Sequence, residues 1–96
     1  MWMQTGVIEG SRADDDWNLY EWEAASLQRQ VNFERPFSKP PRVVVGLTSF
    51  AMEQNGYKFV SASVGGVTSE GFEIVFESGR NTQLEKVGAF WLAHGE

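Results

Sequence analysis

The amino-acid sequence predicts an all-β chain, either a sandwich or a barrel. Three observations carry this. Apolar and polar residues alternate at the two-residue period of strands. Turn residues punctuate the chain at intervals of about 8 to 15 residues. No stretch sustains the period of a long helix.

Each element follows from local chemistry. Residues 5–9 read as a short first strand and the polar residues 10–16 as a loop. Residues 19–23 offer a brief pairing segment. In residues 27–34, Leu27, Val31 and Phe33 stand among Gln and Arg as a second strand with one wet face. Pro36, Pro40 and Pro41 then impose extended backbone without ladder donors, so this stretch is expected to cross between sheets. Residues 42–50 set Val43, Val45 and Leu47 on one face. Asn55 and Gly56 suit a type I′ turn, which predicts a hairpin with residues 57–64 as its return strand. There Val60, Ala62 and Val64 oppose Phe59, Ser61 and Ser63. Gly65 and Gly66 suggest a bulge, and Ser69, Glu70 and Gly71 a turn. Phe72, Ile74 and Phe76 alternate with Glu73 and Glu77 as a half-buried strand. The last strand, residues 84–93, is apolar on both faces, with Val87, Ala89 and Trp91 on one side and Phe90 and Leu92 on the other.

A strand apolar on both faces needs cover for its second face. A loop could supply that cover, and so could another subunit. At 96 residues the chain is expected to form one domain that buries roughly 60 to 65% of its unfolded surface, so added subunits are a reasonable source of further core.

Composition excludes several function classes. A net charge of −5 with scattered Lys and Arg opposes binding to nucleic acid or to acidic membranes. Without cysteine there is no disulfide framework, thiolate metal site or thiol nucleophile. Residues 1–6 lack the charged and apolar regions of a secretory signal, and no apolar run approaches membrane length, so membrane insertion is not expected.

The order Phe33, Pro36-Phe37, Pro40-Pro41, the apolar run 43–47, Gly71-Phe72 and the closing Trp91-Leu92-Ala93 resembles the H-type lectin domain. That is the family of the snail agglutinins and of the C-terminal domain of slime-mould discoidins, and the likeness runs from about Gln4 to the end. The resemblance implies a six-stranded antiparallel β-sandwich that assembles as a homotrimer, sometimes paired as a hexamer. It also implies carbohydrate binding, N-acetylgalactosamine being the usual ligand, in an extracellular or virion-associated setting. It calls for no calcium or other cofactor.

Candidate contacts follow from the same resemblance. One set lies in the loop after the Gly-Phe strand, and a gapless count places Gly79, Arg80, Asn81 and Thr82 there. Asn81 and Thr82 keep the pattern. Gly79 stands where the family has tryptophan, and Glu85 where it has tyrosine. A second contact, an arginine at the start of the return strand, falls on Phe59, with Lys58 one residue away. The third, an acidic residue, falls within residues 14–23, where Asp16, Trp17, Tyr20 and Trp22 gather acidic and aromatic groups. A sugar could stack on that segment. Equally, Trp17 and Trp22 could fill the core or a subunit seam, and Arg80 could pair with Glu85.

Other chemistries have a thin supply of groups. His94, the single histidine, stands third from the end, where a frayed surface position is expected. Asp14, Asp15, Asp16, Glu21 and Glu23 include possible paired carboxylates for glycoside hydrolysis, but a loop spacing sets no separation. Asp14 to Asp16 could bind calcium, yet three acids in a polar loop are more often simply solvated. Two readings therefore stand. One is a carbohydrate-binding module. The other is a trimerisation or attachment module of a larger fibre or particle whose sugar loop has decayed.

Overall fold

The structure, a computed structural model, describes residues 2–20, 23–52, 58–80 and 82–96. Six strands are present: β1 (Trp2–Ser11), β2 (Ala25–Asn32), β3 (Arg42–Met52), β4 (Val60–Gly65), β5 (Gly71–Ser78) and β6 (Leu84–Gly95). They form two three-stranded antiparallel sheets, ordered β1-β6-β3 and β2-β5-β4, and no helix occurs among the described residues. This is the six-stranded sandwich expected from the sequence.

The two-residue period explains the core. Phe72, Ile74 and Phe76 of β5 point inward and are fully buried, while Glu73 and Glu77 point away. On β6, Val87, Ala89, Trp91 and Ala93 fill the facing positions. An aromatic cluster closes one end, with Phe33 5.0 Å from Phe37 and Trp91 5.4 Å from Phe72, centroid to centroid. Gly6 of β1 lies against the Trp91 indole, where a Cβ would meet Nε1 at 2.7 Å.

The proline-rich connection does cross from β2 in one sheet to β3 in the other. Its backbone is tied to the β4–β5 connection by Phe33 N–H to Glu70 O and Phe37 N–H to Ser69 O. The expected hairpin of β3 and β4 does not form. β3 pairs with β6, and β4 with β5, so the two strands lie in opposite sheets. Burial is the reason: Val43, Val45 and Leu47 and the set Val60, Ala62 and Val64 each need apolar cover. Opposite sheets let both faces pack on one core. The Asn55–Gly56 turn lies outside the described residues.

Smaller differences have similar causes. Leu19 and Tyr20 are not in a strand; Leu19 is fully buried and its carbonyl accepts from Leu84 N–H. Gly66, at φ +57°, follows the end of β4 rather than bulging it, and the register shifts fall in β3 instead. His94 is not frayed. It sits in the central strand β6, paired with Met3 of β1 and Arg42 of β3.

Candidate functional site

The C-terminal ends of β1, β3 and β5 and the N-terminal ends of β2, β4 and β6 lie at one pole of the sandwich. Antiparallel pairing therefore brings the described residues 12–20, 58–59, 79–80 and 82–83 of the three connections together there. Four of the site candidates from the sequence fall on this pole: Asp16, Lys58, Arg80 and Glu85. Trp22 and Asn81 lie outside the described residues, as does Glu21.

The first connection is clamped by a residue that sequence reasoning passed over. Arg29 of β2 shares a face with Leu27 and Val31 and reaches the loop from the edge of the core. Its Nη1 donates to Asp16 Oδ2 at 2.6 Å, and its Nη2 donates to Asp16 Oδ1 at 3.0 Å and to Asp14 Oδ2 at 3.1 Å. The hydrogen bonds from Arg29 hold the Asp16 carboxyl below the usual carboxylate range, and Asp16 in turn raises the guanidinium. The guanidinium thus occupies the position between carboxylates that a calcium ion would need.

A pH dependence follows. A carboxyl lowered in the folded state contributes stability above its unfolded value, and that contribution is lost as pH falls through the lowered folded value. The clamp should therefore begin to weaken near about pH 4 and be lost below it. Thermal unfolding across the acid range checks this: Arg29→Gln is expected to remove the steepest part of the acid loss, and identical acid profiles would refute the clamp.

Trp17 is structural. It packs against the core, and its Nε1 donates to Leu84 O at 2.9 Å. Glu85 lies near Arg12 at 3.9 Å rather than pairing with Arg80, and the Arg12 guanidinium sits 3.8 Å above the Tyr20 ring. Arg80 is exposed and makes no ion pair among the described residues.

The third connection is locked onto the second. Gly79 N–H donates to Phe59 O, Phe59 N–H to Thr82 Oγ1, and Thr82 N–H to Gly79 O. Thr82, expected as a surface contact, is fully buried and serves this lock. Gln83 then adopts φ +43°, a left-handed conformation costly for a residue with a Cβ. A Cβ on Gly79 would meet the Phe59 Cβ at 2.7 Å. Phe59 is 48% exposed, comparable with Phe50 and Phe90. Phe59 thus stands in the space that a side chain at Gly79 would need. The signal in the sequence was the pairing of a small residue at 79 with a bulky one at 59.

Residues 28–94 match the family described as the H-type lectin domain. The chain belongs to that family. Two solved structures of discoidin II from Dictyostelium discoideum share the fold of this H-type lectin domain, each at a TM-score of 0.78 and 20% identity. Each match covers 95% of this chain and 36% of the discoidin II chain. A curated relative, "ATP synthase subunits region ORF 7" of Fuscovulum blasticum, is 35% identical over 65 residues, 68% of this chain and 56% of the relative. The H-type lectin domain thus spans about a third of discoidin II and a little over half of that relative.

Proposed function

We propose that this chain is a carbohydrate-binding module whose sugar site lies at the loop pole, with a specificity altered from N-acetylgalactosamine. One observation carries the reading: Phe59 is held exposed against Gly79, beside the uncommitted Arg80. An aromatic face covers the C–H face of a sugar, while planar polar groups bond its hydroxyls. Phe59 supplies the first, and Arg80 and Asn81 the second. Lys58, Glu85, Asp16 and Trp22 are the further contacts that the family resemblance suggests. No catalytic step is required of any of them.

Phe59→Ala and Arg80→Ala are each expected to weaken glycan binding about tenfold, the equivalent of roughly 1.4 kcal/mol, without changing native mass. A glycan array followed by titration of the best ligand makes the measurement. Affinity unmoved by both substitutions would refute this site.

The module is read as acting in several copies, as a homotrimer or hexamer, so that weak single sites gain avidity. The outer face of the β1-β6-β3 sheet supports this. Val7, Phe90 and Val44 lie across it, 63%, 42% and 53% exposed, and the Phe90 ring lies over Gly46 of the neighbouring strand. A contiguous apolar row of this kind marks an interaction surface. Phe90→Glu is expected to lower the sedimenting mass from about three times 10.8 kDa to 10.8 kDa. An unchanged mass would place the interface elsewhere, and a wild-type monomer would end the assembly reading.

The same row favours the second reading, a trimerisation or attachment module without sugar binding. A well-folded oligomer silent on a broad array would establish that reading instead.

A further inference from the structure

The pole opposite the loop site holds a cleft of about 310 Å³, formed where the proline-rich connection meets the ends of β3 and β6. Lys39, Arg42, His94 and Glu96 line it, with Pro41 and Gly95 in its wall. We propose that this cleft binds an oxyanion of the sulfate or phosphate type, free or carried on a saccharide.

Charge placement is the first argument. The chain carries eight Lys and Arg against thirteen Asp and Glu, so two basic groups at one cleft stand out against the net negative charge. Arg29 is engaged by Asp14 and Asp16, Arg12 lies near Glu85, and Arg35 lies over the Trp2 ring. The side chains of Lys39, Arg42 and His94 make no hydrogen bond or ion pair among the described residues. They nevertheless meet at one cleft, where Lys39 and Arg42 set two fixed positive charges against the Glu96 side chain, an excess that a bound anion would balance.

Scaffold rigidity is the second argument. Arg42 and His94 are directly opposite in the β3–β6 register, so both side chains leave the sheet on the same face. Lys39 precedes the Pro40-Pro41 pair, whose torsions are fixed, and Gly95 seats against Pro41 so closely that a Cβ would come within 3.2 Å. The main-chain oxygen of Glu96 accepts from both the N–H and the hydroxyl of Ser38, each at 2.6 Å, which holds the cleft margin in place. A planar guanidinium suits two oxygens of one anion, and a lysine adds a point charge. The volume admits more than an ion, since one water takes about 30 Å³ of liquid.

This proposal does not depend on the sugar site at the other pole. The test is calorimetric titration of the intact chain with inorganic sulfate, with a sulfated disaccharide and with its unsulfated parent. Sulfate and the sulfated sugar should bind and the parent should not. Arg42→Ala and Lys39→Ala should each weaken binding about tenfold or more, and Lys86→Ala, near the opposite end of β6, should leave it unchanged. Tighter binding of the sulfated sugar than of sulfate would identify a saccharide-borne group, and equal affinity a free ion. No heat with either anion, or full affinity in Arg42→Ala, would overturn the proposal. So would variants that change native mass but not anion affinity, since these cations would then serve an interface between copies.

Discussion

Gly79→Trp should destabilise the chain strongly, whereas the same change combined with Phe59→Gly should be tolerated. The tryptophan restores the residue type that the family resemblance places at that position, so a sequence-based expectation would be benign or beneficial. The geometry says otherwise. A Cβ at Gly79 meets the Phe59 Cβ at 2.7 Å, and Thr82 Oγ1 stands 3.5 Å away. The Phe59 Cβ is not the yielding end of a flexible side chain, because hydrogen bonds to Gly79 and Thr82 fix its backbone. Forcing bulk into such a contact costs about 1 to 3 kcal/mol. The double substitution moves the aromatic group across the lock instead of adding a second one. The two changes should therefore be non-additive by about 0.5 to 3 kcal/mol in the stabilising direction. Denaturant midpoints of the four variants give the coupling energy. Additive costs would mean that positions 59 and 79 do not compete, and the reading of Phe59 as filling the space beside Gly79 would fall. If the double variant also binds glycan while Phe59→Gly alone does not, the aromatic face itself is what the sugar needs.

Trp91→Ala should cost about 3 to 5 kcal/mol, a large part of the 5 to 15 kcal/mol by which a typical small domain is stable. Trp91 lies on the central strand β6, nearly buried, with Phe72 at 5.4 Å and Phe33 at 5.9 Å. It therefore joins the two sheets and the proline-rich connection at once. Its other flank is Gly6, which leaves no side chain to collapse into the vacated volume. Cavities that cannot collapse are the expensive ones. Trp91→Phe should cost clearly less, because a ring would still reach Phe72. A loss below about 1 kcal/mol for Trp91→Ala would mean that the surroundings repack, contrary to the wall that Gly6 provides.

Much of the architecture was legible in the residues. The alternation of Phe72, Ile74 and Phe76 with Glu73 and Glu77 predicts an inward and an outward face, and burial follows it. Pro36, Pro40 and Pro41 announced the crossing between sheets, since a chain without amide donors cannot continue a ladder. What misled was Asn55-Gly56. A dipeptide favouring a tight turn argues for a hairpin only if the flanking strands gain more from pairing with each other than from other partners. Here β6 and β5 were the better partners, and a turn propensity of about a kilocalorie does not outweigh burial of two apolar faces.

His94 and the site show the same division. Position near the end of the chain suggested fraying, but β6 is flanked by β1 and β3 along its length, and hydrogen bonding on both sides holds His94 in register. For the site, spacing placed the candidates on three connections, and antiparallel pairing brought the described residues of those connections to one pole. Spacing could not show that Arg29 would take the carboxylates of Asp14 and Asp16, or that Thr82 would be buried. It also could not show that Phe59 would lie against Gly79.

The sequence by itself determined the strand faces, the crossing and the family, because these depend on the period of apolar residues and on backbone restrictions carried by each residue locally. Only the tertiary structure decided which strands pair, which charges are already engaged and which aromatic ring is left exposed. Those outcomes are set by competition among groups far apart in the chain, and that competition is resolved only when all of them seek the same limited core.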